Sequence, residues 1–112
     1  MLQRLLLAAS AACLVTVPAL ASEAFVGRWA VNTDMCSGRG DTAATSALVA
    51  TDTTLWWFAG YCRIGKMYKA NAVYVQAHCG EKGDVPVTLD AKGNHMKVTW
   101  GGAKPAELKR CP

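Results

Sequence analysis

The chain has 112 residues, with 12 Lys and Arg against 8 Asp and Glu, five cysteines and two histidines. That length is expected to hold one small domain, near the size at which a hydrophobic core alone is marginal. The mild positive charge is spread along the chain with no basic block of five or six residues, which argues against an electrostatic nucleic-acid binder.

The chain opens MLQRLLLAASAACLVTVPALASEA. Arg4 is a short positive region, Leu5 to Val17 an apolar run, and Pro18 with Ala19-Leu20-Ala21 a break followed by a small-x-small cleavage site. This is the pattern of a secretory signal peptide, and the apolar run is too short to span a bilayer. The expected division is a signal peptide over 1–21 and one β-barrel domain over 22–112, with cleavage after Ala21 and Ala24 as the alternative site. The mature chain is expected in the periplasm or secreted, without a transmembrane segment. Lipidation at Cys13 stays open, although Ser10-Ala11-Ala12 before it lacks the usual aliphatic residue.

Removal of the leader leaves Cys36, Cys62, Cys79 and Cys111 in 91 residues with a net charge of +3. An even cysteine count in a short exported chain reads as a disulfide framework. Four cysteines allow three pairings. Cys36–Cys62 with Cys79–Cys111 is the expected one, since each bridge then closes a separate half of the chain.

Along the mature chain, turn signals recur every 8–14 residues: Gly38 to Asp41, Gly60, Gly65, Gly80 to Asp84, Lys92 to Asn94 and Gly101 to Pro105. Between them lie short runs rich in Val, Thr, Tyr and Trp, the spacing of an all-β sandwich or barrel. EAFVGRWAV is the first strand, followed by a polar loop from Asn32 to about Thr45. Ala43 to Ala50 is read as a strand, with a short helix as the alternative. In TTLWWFA, alternation puts Leu55 and Trp57 on one face and Trp56 and Phe58 on the other, and periodicity does not say which pair is buried. NAVYVQAHC is a strand reaching Cys79. DVPVTLD turns Val85, Val87 and Leu89 inward. NHMKVTW turns Met96, Val98 and Trp100 inward, after a hairpin turn at Gly93-Asn94. PAELKRC closes the chain with Leu108 and Arg110 on one face. The predicted fold is a small antiparallel β-barrel of seven or eight strands, stapled by disulfides; a closed barrel leaves no long exposed edges.

Gly27-Arg28-Trp29 on the first strand and Arg110 on the last carry a resemblance. An early Gly-x-Trp with a late Arg is similar to the lipocalins and the wider calycin barrels. The resemblance implies that Trp29 plugs one end of the barrel and that Arg110 lies over its ring as a cation–π partner. The short chain also resembles the small secreted bacterial inhibitors of metalloproteases, which are compact eight-stranded barrels with an early Gly-x-Trp. The combination of leader, Gly-x-Trp, four cysteines and terminal Arg-Cys-Pro resembles small uncharacterised exported proteins of alphaproteobacteria as well, a likeness that supplies no function. A lysozyme inhibitor would be expected to present an acidic face and a Ser-Gly-x-x-Tyr loop, and this chain is net positive without that loop.

Catalysis has little support. His78 adjoins Cys79, whose thiol a disulfide would remove as nucleophile or ligand. His95 sits by a hairpin turn. The carboxylates fall mostly in turns, where Asp is at home. Neither His78 with Cys79 nor Asp34 with Cys36 reaches metal-ligand spacing. No enzyme activity, cofactor or metal is therefore expected. Arg39-Gly40-Asp41 is read as turn chemistry in a polar loop.

The aromatic cluster is the remaining candidate. One of Trp56 and Trp57 is expected to build the core and its neighbour a contact. With Tyr61, Arg63, Lys66 and Lys69 this gives a patch of interface composition. The leading expectation is an exported module that binds another envelope or extracellular protein, foremost as an inhibitor of a hydrolase such as a protease. The alternatives are a lipocalin-like carrier of a small apolar ligand and a structural envelope protein without a ligand. A filled interior favours the first, and an internal pocket of several hundred Å³ the carrier.

Overall fold

The computed structural model describes residues 23–112. The expected signal peptide over 1–21, the expected cleavage site after Ala21 and Cys13 lie outside the described residues. Eight strands follow one another as an antiparallel meander: β1 Gly27–Ala30, β2 Leu48–Ala50, β3 Thr54–Trp57, β4 Gly60–Lys69, β5 Val73–His78, β6 Asp84–Lys92, β7 His95–Trp100 and β8 Ala106–Arg110. Each pairs with the next and β8 returns to β1, so the sheet closes into a barrel. Closure pairs every strand on both sides and removes the edges that would otherwise recruit other chains.

Alternation sorts the barrel into a lining and an outer surface. Val87 and Leu89 of β6, Met96 and Val98 of β7 and Leu108 of β8 are buried. Of the two adjacent indoles, Trp57 is the inner one at 3% exposure and Trp56 the outer one at 56%. Burial of Trp57 needs a partner for its N–H, and Nε1 donates to the Ser46 carbonyl at 3.1 Å. Its ring meets Trp100 edge-on with centroids 5.7 Å apart. This pair fills the barrel near one end.

At the other end the chain enters through a turn rather than as part of a strand. Val26 N–H donates to the Glu23 carbonyl at 2.9 Å, and the turn drops the Phe25 ring into the core at 1% exposure. The strand read from EAFVGRWAV is thus shortened to Gly27–Ala30. Trp29 is fully buried and its Nε1 donates to the Phe25 carbonyl at 2.9 Å. Arg110 sits over the Trp29 ring, with Cζ 4.2 Å from the centroid. Its two terminal nitrogens donate to the carbonyls of Val26 and Ala24, each at 3.0 Å. Gly27 has φ +145°, and a Cβ there would stand 2.6 Å from Arg110 Nη1. The glycine of Gly-x-Trp therefore makes room for the guanidinium.

Two sequence expectations are corrected. Gly65, read as a turn, lies inside β4 at a bulge: the register with β5 shifts between Ile64 and Met67. A Cβ at Gly65 would crowd His78, with Cδ2 at 2.8 Å, and the Gln76 carbonyl at 2.9 Å. Glycine in a strand commonly marks such a bulge or close approach. Ala43 to Ala50 is also divided. Ala43–Thr45 is one turn of 3-10 helix and only Leu48–Ala50 is strand. The Thr42 and Thr45 hydroxyls meet at 2.8 Å and cap that turn locally, in competition with strand pairing.

The disulfide pairing also differs. Cys36 is bridged to Cys111 (Cα–Cα 5.8 Å) and Cys62 to Cys79 (Cα–Cα 4.2 Å). The expectation of one bridge per half treated the halves as separate, whereas closure brings the chain ends together. Trp29 faces Arg110 across the seam, and Cys111 N–H donates to the Arg28 carbonyl at 2.8 Å, so Cys111 arrives beside β1. The loop that follows β1 carries Cys36 back to it. The second pair depends on the bulge. Arg63 faces His78 on one side of it, which sets Cys62 opposite Cys79. The register beyond the bulge, Met67 with Val75, would have set Arg63 opposite Cys79.

Two predictions follow from this closure. Chain-entropy scaling gives about 4.5 kcal/mol for the Cys36–Cys111 bridge and about 3 kcal/mol for Cys62–Cys79 from their loop lengths. Urea unfolding of the Cys36→Ser/Cys111→Ser protein should therefore show the larger loss; equal losses, or a larger one for Cys62→Ser/Cys79→Ser, would contradict the seam's importance. Arg110→Ala removes the cation–π contact and two charge-assisted hydrogen bonds, and an unfolding loss of about 3 kcal/mol is expected. Arg110→Lys should recover only part of it, since an ammonium lacks the fork that reaches both carbonyls.

Candidate functional site

The outer face of the first four strands carries the features that the core does not use. Registered pairs run Arg28 with Val49, Val49 with Trp56 and Trp56 with Tyr61, so these four side chains form one row across the sheet. Trp56 and Tyr61 stand edge to face, with ring centroids 6.1 Å apart and planes at 87°. Tyr61 is 54% exposed, and Phe58, packed on Trp57, remains partly exposed beside the row. Rings held this way on a paired strand lose little entropy on contact and present large area with a polar handle.

The next outer row runs Thr54, Arg63, His78, Asp84. His78 Nδ1 meets Asp84 Oδ1 at 2.5 Å, and Gln76 Nε2 donates to Asp84 Oδ2 at 3.0 Å. Asp84 is thus engaged by β5 and leaves Arg63 exposed beside Tyr61 and without an ion-pair partner among the described residues. Among those residues, no group of three or more His, Cys, Asp or Glu is placed to hold a metal ion.

The six residues of the sequence-derived patch separate. Trp56, Tyr61 and Arg63 come together. Trp57 leaves the patch for the core, because alternation sends it to the opposite face and Ser46 satisfies its N–H. Lys66 lies in the bulge itself and Lys69 beyond it, where Tyr68 and Tyr74 pair across the strands with centroids 6.1 Å apart. Lys69 is tied to Glu23. Trp29 and Arg110 belong to the closed end described above.

Sequence reasoning passed over a groove of about 400 Å³ beside Trp56. Val49, Trp56 and Phe58 line its barrel side, and Gly38 and Arg39 of the 31–47 loop line the other, with Arg28 also contributing. The loop is held against the barrel by the Cys36–Cys111 bridge and by Arg28 Nη1, which donates to the Cys36 carbonyl at 3.2 Å. Arg28 was legible as an outward residue by its place beside Trp29. Arg39 had no local signal, because its position depends on pairing with Ser46 farther along the loop.

Among the described residues, the barrel interior is a packed core. Trp29, Phe25, Leu48, Leu55, Leu89, Met96 and Leu108 fill it. A hollow of about 160 Å³ near the Ala70–Ala72 turn, bounded by Phe25 and Leu89, is smaller than the usual ligand site. Comparison with protein-family models, with curated proteins and with solved structures finds no match for this chain.

Proposed function

We propose that this protein is an extracytoplasmic binding module that docks on another protein through the Trp56–Tyr61 face and acts as an inhibitor of a hydrolase. The observation that carries the reading is the placement of aromatics. The interior is filled by the chain's own side chains, while Trp56, Tyr61 and Phe58 are spent outside, next to Arg63 and a groove. Trp, Tyr and Arg dominate the energetic centres of protein interfaces. Two disulfides suit an oxidising compartment, and no helix among the described residues is long and apolar enough to cross a membrane. The closed barrel and the stapled loop hold the surface in one arrangement, which lowers the ordering cost of association. A filled interior weighs against an internal ligand carrier.

The two neighbouring indoles give a paired test. Trp57→Ala empties the core and should cost about 3–5 kcal/mol in urea unfolding. Trp56→Ala should change stability by no more than about 0.5–1 kcal/mol, the scale of an exposed cross-strand pair. Immobilised wild-type protein is expected to retain a hydrolase from an extract of its own envelope and medium and to reduce its activity. Trp56→Ala should lose that retention about tenfold or more while remaining folded. Equal retention by Trp56→Ala and wild type would refute the proposed contact face.

A further inference from the structure

We infer that the Ser37–Asp41 segment is a substrate-like loop that presents Arg39 to the specificity pocket of a serine protease cleaving after basic residues. The inference deepens the inhibitor reading above and rests on it.

The backbone supplies the first argument. Arg39 is bridged to Ser46 in antiparallel fashion. The bonds that make the bridge come from the flanking residues: Ala47 N–H donates to the Gly38 carbonyl at 3.0 Å, and Gly40 N–H to the Thr45 carbonyl at 3.0 Å. In this kind of antiparallel pair the N–H and C=O of the central residues point away from each other. Arg39 thus turns its own N–H and C=O away from its loop partner, and neither has a hydrogen-bond partner among the described residues. A protease cleft receives an extended segment by adding it as a strand, through these main-chain groups.

The side chains supply the second. Arg39 is exposed and stands between two glycines, so no neighbouring side chain on either flank obstructs it. It forms no ion pair among the described residues. A long cation on an extended backbone matches a deep pocket with a carboxylate at its base, the arrangement that sets trypsin-like specificity. Trp56 and Phe58 line the same groove as Arg39 and would flank the cleft rim.

Rigidity supplies the third, since an inhibitor must hold its segment where a substrate yields. The Cys36–Cys111 bridge lies three residues before Arg39. Gly38 N–H donates to the Met35 carbonyl at 2.8 Å. A Cβ on Gly38 would lie 3.1 Å from that carbonyl oxygen, and one on Gly40 would lie 2.6 Å from Thr45 Cβ. Both glycines let the return limb approach closely. Thr42 N–H donates to Thr45 Oγ1 at 3.3 Å and fixes that limb. A segment ordered before binding loses little entropy on docking.

The test uses the full chain exported with its own leader and recovered oxidised, titrated against trypsin with a small chromogenic arginine substrate. Competitive inhibition is expected, with the Arg39–Gly40 bond intact by mass. Arg39→Ala should weaken inhibition at least about 100-fold, the scale of truncating a charged hot spot, and Arg39→Lys should retain most of it. Arg39→Phe should transfer inhibition to chymotrypsin. An unchanged unfolding midpoint for each variant separates loss of the contact from loss of fold. Absence of trypsin inhibition, equal potency of Arg39→Ala, or steady cleavage after Arg39 without inhibition would overturn the inference. If the envelope hydrolase is retained equally by Arg39→Ala but lost by Trp56→Ala, the Arg39 assignment fails and the binding face stands. If both variants retain it, the face fails too.

Discussion

The barrel depends on the seam between its first and last strands, which no turn joins. β1 and β8 share only two registered pairs, Trp29 with Arg110 and Ala30 with Lys109, as few as the turn-linked β2 and β3, where β5 and β6 share six. Two backbone pairs alone are a weak closure, and an open seam would expose two strand edges and the core between them. Side-chain interactions reinforce the seam. The Arg110 guanidinium covers the Trp29 ring and holds the Ala24 and Val26 carbonyls, which fixes the entering turn and keeps Phe25 in the core. The Cys36–Cys111 bridge then ties the first long loop to the last residues of the chain.

The same device positions the candidate site. The bridge that closes the seam also fixes the loop carrying Arg39, and Arg28 beside Trp29 donates to the Cys36 carbonyl at its base. The groove therefore lies between two bodies that the seam holds together. Its barrel side is the ladder of β2 and β3, with Val49 facing Trp56. Stability and the candidate site share one origin: the residues at the seam order the core on one side and the Arg39 loop on the other.

Much of this was legible from alternation. Val87, Leu89, Met96 and Val98 are buried as their spacing requires, and Gly93-Asn94 makes the tight turn between β6 and β7. The contact between Trp29 and Arg110 was not legible from alternation and was expected only through the resemblance carried by Gly-x-Trp and the late Arg; the structure places Arg110 over the Trp29 ring. Period alone could not choose between Trp56 and Trp57, since either face of that strand offered an aromatic. The choice rests on a carbonyl, Ser46, supplied by a different segment. The disulfide pairing was hidden for a related reason. Cys62 faces Cys79 only because the bulge at Gly65 changes the register, and a glycine in a sequence reads equally as turn or bulge. Arg39 was hidden most completely. Its Gly-Arg-Gly-Asp setting has the composition of a turn, and its extended geometry arises from pairing with Ser46, which no short-range pattern announces.

Amide hydrogen exchange, read residue by residue by NMR on the oxidised protein, tests the dependence of loop and barrel on the seam most directly. Ala30 and Cys111, whose N–H groups lie on the seam, should exchange as slowly as the β5–β6 ladder, opening only with the whole barrel. Gly40 and Ala47, whose N–H groups hold the Arg39 bridge, should be protected while Arg39 itself exchanges freely. Early exchange of Ala30 and Cys111 ahead of β5 and β6, or equally fast exchange at Arg39, Gly40 and Ala47, would contradict a closed seam that holds a rigid loop.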